Sequence, residues 1–305
     1  MNKDFLSIAD LSTDEVLSLF NLASELKQKQ KSGETHHILK GQTLGLIFLK
    51  PSTRTRISFE VGMFQLGGHA LYLSPAEIGL GTRESIPDVA RVLSRFVDGI
   101  MARLFGHQDI VDLAKWASIP VVNGLTDLLH PCQILGDMLT IMEHKNRYEG
   151  IHVAYVGDGN NICNSWINLA AKLPFKFTMA VPEGYEPDAD ILAYAKSAGK
   201  SEVAVYHSPQ EAVRGADVIY TDVWASMGQE DESEARKRIF ADYQVNDALF
   251  EHARKDAQFM HCLPAHRGDE VTDAIMDGQR SIVFDQAENR LHIQKAVLAQ
   301  LMSKQ

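Results

Sequence analysis

Short apolar runs and amphipathic helical segments alternate along this chain, and that alternation constrains the fold more than any other feature. In "DLSTDEVLSLFNLASELKQK", Val16, Leu19, Leu22, Ala23 and Leu26 repeat at helical spacing behind a Ser12 or Thr13 cap. The strand-like "LGLIFLK" follows, from Leu44 to Lys50. Pro51 stops that strand, and "STRTRISFEVGMFQLG" resumes a helical pattern. "SIPDVARVLSRF", "HQDIVDLAKWA" and "CQILGDMLTIMEHK" read as further helices, separated by the strands "DGIMARL" and "IPVVNG". The pattern restarts after "NRYEG". There "IHVAYVGDGNN", "KFTMAVPEG", "EVAVYH", "ADVIYTDVW" and "AQFMHCLP" supply strands, and "SWINLAAKL" a helix. Apolar strands spaced by helices belong to sheets covered on both faces. The expected fold is therefore α/β: two Rossmann-like domains, each a mostly parallel sheet flanked by helices, with a cleft between them. The first spans residues 1–148 and the second 149–287. Periodicity leaves open which of them the last helix, "QKAVLAQLMSK", joins.

The 305 residues are 45% hydrophobic, enough to bury the cores of two such domains. A formal net charge of -10 counts against nucleic acid as a partner, though not against a local basic pocket. No run reaches the roughly 18 apolar residues that span a bilayer, so no membrane association is expected. The opening "MNKDFLSIADLS" lacks the apolar run of a signal peptide. Cys132, Cys163 and Cys262 form no CxxC or zinc-like cluster, which fits reduced thiols and a cytoplasmic location. The run "GQEDESEARKR", Gly228 to Arg238, reads as a solvated helix start.

Ligands in such sheets gather beyond the carboxyl ends of strands, and the polar motifs fall there. "STRTR" follows a strand and opens a helix, so first-turn N–H groups point toward a bound anion. Ser52, Thr53 and Thr55 add neutral donors, and Arg54 adds a fork suited to phosphate oxygens. The competing account is an ordinary Ser cap with Arg54 and Arg56 exposed. Arg103 ends the next apolar run, and His130 and Gln133 flank a helix start after "IPVVNG". Three such ends on one rim favour an anion site. His107 reads as a helix cap or a solvent residue.

"GDGNN" lacks GxGxxG and is weak support for a dinucleotide oxidoreductase. Gly157 and Gly159 provide a tight turn; Asn160 and Asn161 are polar ligand groups, with one of them free to act as a helix cap. Asp222 follows a strand and suits a substrate ammonium, with Ser226 and Met227 in the next loop. "HCLPAHRG" raises a covalent reading at Cys262. Adjacent strand residues point to opposite faces, however, so His261 is ill placed to serve as its base, and His266 remains the alternative. A metal site through Cys262 and His266 lacks further ligands at a recognisable spacing.

"STRTR", "HPCQ", "GDGNN", "DVWASMG", "HCLP" and "ENR" occur in the order found in the aspartate/ornithine carbamoyltransferases, and the chain resembles that family over essentially its whole length. "DVWASMG" with "HCLP" resembles the ornithine-specific branch. The resemblance implies a carbamoyl-phosphate domain, an ornithine domain, and a last helix, about 288–305, returning to the first. It implies that Ser52, Thr53, Arg54 and Thr55 hold the phosphate and that Arg103 bridges phosphate and carbamoyl oxygens. His130 and Gln133 would hold the carbamoyl group. Asn161, Asp222, Ser226 and Met227 match ornithine-binding positions. Cys262 and Leu263 would line the meeting point, and Arg290 would complete the site. Arg54, Arg103, His130 and Cys262 are the implied catalytic set.

The implied reaction is carbamoyl transfer from carbamoyl phosphate to the δ-amine of L-ornithine, giving L-citrulline and phosphate, as in arginine biosynthesis. No cofactor and no metal are expected. A trimer, or an assembly of trimers, is implied, with a neighbour's side chain from about 74–85 reaching the donor. Here Gly79 stands where relatives carry a polar side chain, beside Glu77 and Arg83. The family also includes enzymes for putrescine and N-acylated ornithines, and a non-catalytic anion-binding protein of the same fold is the alternative outside enzymes.

Overall fold

The alternation of the sequence is realised as two separate parallel sheets. The structure, a computed structural model, describes residues 1–225 and 230–303. The chain divides into two units, Met1–Leu139 with Glu288–Gln305, and Thr140–Ala287.

The first unit holds β1 (Thr43–Phe48), β2 (His69–Leu73), β3 (Gly99–Arg103) and β4 (Val121–Leu125), in the order β2-β1-β3-β4. β1, β3 and β4 are buried almost throughout, which is why they read as unbroken apolar runs. β2 is an edge strand, half exposed along its length. Its "HALYL" carries no such run, and the sequence reading did not list it as a strand. The longer helices of this unit are α1 (Thr13–Ser32), α2 (Thr53–Gln65), α3 (Ile86–Phe96), α4 (His107–Trp116) and most of α5 (Pro131–Lys145). α1 begins in a capping box between Ser12 and Glu15 and ends at Gly33, in the left-handed region at φ 74°. α5 opens on Pro131, whose fixed φ and missing N–H suit a first helical position.

The second unit holds β5 (His152–Val156), β6 (Lys176–Ala180), β7 (Glu202–Tyr206), β8 (Val218–Thr221) and β9 (Gln258–His261), in the order β7-β6-β5-β8-β9. Its longer helices are α6 (Asn161–Ala170), α7 (Ala189–Ala198) and α8 (Ser233–Ile239). The last helix, α9 (Val283–Met302), starts in this unit and from Glu288 onward packs in the first.

Strand order positions the candidate residues. In the first sheet β1 has β2 on one side and β3 on the other, so the chain reverses winding between β1 and β3. "STRTR" follows β1 and Arg103 ends β3, which puts both at that switch point. In the second sheet the reversal lies between β5 and β8. "GDGNN" follows β5 and Asp222 follows β8.

Candidate active site

In the first unit, Ser52 is the N-cap of α2, and its Oγ accepts from Thr55 N at 3.3 Å and donates to Thr55 Oγ1 at 3.0 Å. The cap and the anion site are thus compatible. Ser52 satisfies one first-turn N–H, and Thr53 and Arg54 lie at the open end of the helix. Arg54 is half-buried, and its buried Nε has no hydrogen-bond partner among the described residues. Arg56 instead bonds Glu60 Oε1 at 2.8 Å and lies over the Tyr72 ring at 3.9 Å, on an exposed face.

Thr55 is fully buried, and Arg290 of α9 donates to its Oγ1 at 2.7 Å. The returning helix thereby delivers a guanidinium to the start of α2. Arg103 closes β3 where the register against β4 shifts between Ala102 and Arg103. His130, buried before α5, is held well below the usual imidazole range by burial, then by the charges of Arg290 and Arg103. It is therefore a neutral imidazole at physiological pH, able to donate without carrying charge. Gln133 is buried and donates from Nε2 to Asp137 Oδ1 at 2.8 Å. Its Oε1 has no hydrogen-bond partner among the described residues and remains to accept from an N–H.

The loop before His130 is clamped. Lys50 is buried, pairs with Asp127 and lies over the Phe105 ring at 4.4 Å. Thr126 Oγ1 accepts from Leu129 N at 3.2 Å and lies 3.0 Å from His107 Nδ1. His107 is neither a cap nor a solvent residue: Gly106 holds the N-cap position, and burial pulls the imidazole down.

In the second unit, Asn160 is the cap of α6, accepting from Ile162 N at 2.9 Å and Cys163 N at 3.3 Å. Asn161 is left as the first helical residue at the open helix start. Gly159 is required by close packing, since a Cβ there would meet Pro187 N at 2.4 Å and Tyr185 O at 2.5 Å. Asp222 is buried and accepts from Asn160 Nδ2 at 2.9 Å, Val223 N at 2.8 Å and Cys262 Sγ at 2.9 Å. A thiol that donates its proton to a carboxylate is not poised as a thiolate nucleophile.

His261 ends β9 and faces away from that role, with Nε2 3.1 Å from the buried Glu270 and Nδ1 accepting from Leu263 N at 2.8 Å. The imidazole of His266 is exposed, and its backbone N–H bonds Glu270. These bonds hold Leu263 at φ 59°, a left-handed conformation that a side chain adopts only when its surroundings impose it. Asp222, His261 and Cys262 place ligand-capable atoms within 4.8 Å of one another. Each already has a protein partner, which a metal ion would have to displace. Ser226 and Met227 lie outside the described residues.

Two groups of site neighbours escaped the sequence reading. Lys50 and Asp127 brace the His130 loop, and Asp158 and Arg236 form a buried ion pair at 2.9 Å beside Asn160. Each pair joins residues far apart in sequence, and the only signal for either was polar residues next to a motif already chosen.

Residues 3–143 match the family described as "Aspartate/ornithine carbamoyltransferase, carbamoyl-P binding domain". Residues 149–301 match the family's "Asp/Orn binding domain". A protein of Syntrophus aciditrophicus named ornithine carbamoyltransferase is 58% identical, over 98% of this chain and 99% of its own. One of the same name from Thermococcus kodakarensis is 54% identical, over 98% of this chain and 96% of its own. The solved structure of ornithine carbamoyltransferase from Pyrococcus furiosus superposes with a TM-score of 0.95 at 53% identity, covering 98% of this chain and 96% of that one.

Proposed function

Because the chain belongs to the aspartate/ornithine carbamoyltransferase family, we propose that its two groups of polar residues divide the work of one reaction. The chain transfers the carbamoyl group of carbamoyl phosphate to the δ-amine of ornithine, giving citrulline and phosphate. Residues 1–148 with about 288–305 hold the donor, and 149–287 hold the acceptor, a division supported by the two family domains that match.

One observation carries the donor assignment. Arg290 bonds Thr55 in the first turn of α2, while Arg290 and Arg103 together act on His130. Cations, helix-start N–H groups and a neutral imidazole are thus gathered at one switch point. Arg54 and the α2 N–H groups, with Ser52, Thr53 and Thr55, neutralise the leaving phosphate. Arg103, Thr55 and His130 donate to the carbonyl oxygen as negative charge builds on it. Gln133 Oε1 accepts from the carbamoyl NH2, since its amide nitrogen is already given to Asp137. Arg290 completes the pocket, and Cys262 and Leu263 line the place where donor and acceptor meet.

On the acceptor side, Asn161, Asp222, Ser226 and Met227 bind ornithine, with Asp222 facing an ammonium. The δ-amine, with an ordinary pKa of about 10.4 by analogy with lysine, reacts in its minority neutral form. Direct attack by that amine is favoured over a cysteine intermediate, because the Cys262 thiol is already engaged as a donor to Asp222.

The assembly is a trimer, or built of trimers. In its support, Ile57 and Phe64 on α2, Leu71 on β2 and Phe96 on α3 are exposed apolar side chains that a second copy would cover. Gly79 sits at φ 53° as the C-cap of a short helix, and a Cβ there would meet Arg83 Cβ at 2.6 Å. A turn requirement therefore accounts for the glycine, and Arg83 is the cross-subunit candidate in this loop. The role is arginine biosynthesis in the cytoplasm. No helix among the described residues is long and apolar enough to cross a membrane.

Purified protein given carbamoyl phosphate and ornithine should release phosphate and citrulline, with ornithine preferred over putrescine and N-acylated ornithine in competition. Preference for either rival moves the acceptor, and donor binding without turnover of any amine removes the transferase reading.

A further inference from the structure

Carbamoyl phosphate and acetyl phosphate are nearly the same shape and differ in carrying NH2 or CH3 on the carbonyl carbon. Shape alone separates such isosteres weakly, whereas a buried acceptor aimed at the NH2 is left unpaired by the methyl compound and rejects it. In the donor pocket proposed above that acceptor is Gln133 Oε1. A glutamine amide, however, has two ends of similar size. Turning it over about its last side-chain bond exchanges C=O for NH2 at little steric cost. Gln133 by itself therefore does not decide which end meets the ligand.

Asp137 makes that choice. It is fully buried one helical turn beyond Gln133 on α5, and its Oδ1 accepts from Gln133 Nε2 at 2.8 Å. An ionised carboxylate accepts and cannot donate. With the amide turned over, Gln133 Oε1 would face Asp137 Oδ1, bringing two acceptors together away from water. As it stands, Oε1 is the end left over, buried and with no hydrogen-bond partner among the described residues. An unpaired buried acceptor carries a desolvation cost that a ligand N–H removes.

The helix turn that carries the pair is seated on two sides. Cys132, just before Gln133, is fully buried, and its Sγ donates to Asn123 O of β4 at 3.7 Å. Gly136, just before Asp137, lies against α9, where a Cβ would meet Arg290 N at 3.4 Å and Arg290 Cα at 3.5 Å. With α5 held in this way, the amide torsion of Gln133 is the variable that Asp137 sets.

We propose that Asp137 is a positioning residue for donor specificity. By holding Gln133 Nε2 it turns Oε1 toward the ligand, and so selects acyl phosphates with an N–H on the carbonyl carbon over those with a methyl group. The proposal rests on the assignment of Gln133 to the carbamoyl NH2.

The test is calorimetry on the full-length protein with phosphonoacetamide and acetonylphosphonate, two stable phosphonates that differ only in NH2 and CH3. Inorganic phosphate probes the Arg54 subsite alone. The unsubstituted protein should bind the amide at least about tenfold more tightly than the ketone, the scale of one hydrogen bond. In Asp137→Asn, whose own amide can donate to a turned-over Gln133, the preference should shrink to about threefold or less, with phosphate affinity within about twofold. Asp137→Ser should do the same by an independent change. Gln133→Met should abolish the preference, and adding Asp137→Asn to it should change nothing further, because Asp137 acts on the ligand through Gln133. A preference that persists in the Asp137 variants overturns the proposal alone. So does an equal weakening of amide, ketone and phosphate, or loss of the fold in both variants, since either marks a merely structural role. An unsubstituted protein indifferent to NH2 and CH3 overturns the assignment of Gln133, and the proposal falls with it.

Discussion

Arg54 and Arg56 stand two residues apart on α2 and do different work. Arg54 sits in the first turn with its Nε buried and unbonded among the described residues, whereas Arg56 is spent on Glu60 and Tyr72 at the surface. Removing a donor aimed at developing charge typically costs about 3–4 kcal/mol, and an exposed i,i+4 pair contributes about 0.3–0.5 kcal/mol. Arg54→Ala should therefore lower kcat/KM for carbamoyl phosphate at least 100-fold or so, and Arg56→Ala no more than a few-fold. Steady-state kinetics on both folded variants checks this, and equal losses would take Arg54 out of the phosphate site. Such contrasts are legible in the sequence because a helix start fixes which side chains lie near its open N–H groups. The same logic separated capping Asn160 from Asn161 only once the cap was seen, since either residue can fill that position. Arg236 was not legible at all. Its neighbours are charged, so the run reads as solvated, and its partner Asp158 lies 78 residues earlier.

Burial decides which elements announce themselves. β3, β4 and β5 are buried at every position and stand out as apolar runs, while β2 alternates exposed and half-buried residues at a sheet edge and does not. α9 is legible as a helix, but its docking is not, because part of what it buries is polar. Lys295 is fully buried, donating to Gln65 Oε1 at 2.9 Å and Leu26 O at 3.5 Å, with His36 Nε2 at 3.2 Å and His292 near enough to feel its charge. Burial pulls Lys295 from 10.5 down to about 8. Between those values the unfolded chain holds a proton that the folded one has released. The stability linked to this group is therefore complete above about pH 10.5 and lost as pH falls through 8, a swing on the order of 3 kcal/mol. Urea unfolding from pH 7 to 10 should show the wild type gaining on Lys295→Met by about 2–3 kcal/mol as pH rises. A pH-independent difference between the two would mean that the ammonium stays charged inside the fold.

At the scale of the whole chain, the second unit is inserted into the first, which is complete only when residues 288–305 return to it. That return supplies both structure and chemistry. Asn289 accepts from the buried Lys27 at 2.8 Å, Arg290 bonds Thr55 at 2.7 Å, and Ile293, Val297, Leu298 and Met302 lie in the core. Four buried aliphatic side chains are worth roughly 1.5–3 kcal/mol each. Their sum, on the order of 8 kcal/mol, is comparable to the roughly 5–15 kcal/mol that holds a domain folded. The second unit keeps its own core without them, built around Phe240, Phe250 and Phe259 and including Val283, which precedes the return. A chain ending at Ala287 should therefore lose carbamoyl-phosphate binding by calorimetry and become protease-sensitive before Leu139, while a fragment beginning near Thr140 stays protected. A peptide covering 288–305, added in excess, should restore part of the protection, because it returns the partners of Lys27 on α1 and of Thr55 and Gln65 on α2. Donor binding that survives the truncation, with the first unit still protected, would show that α9 decorates this unit rather than completing it.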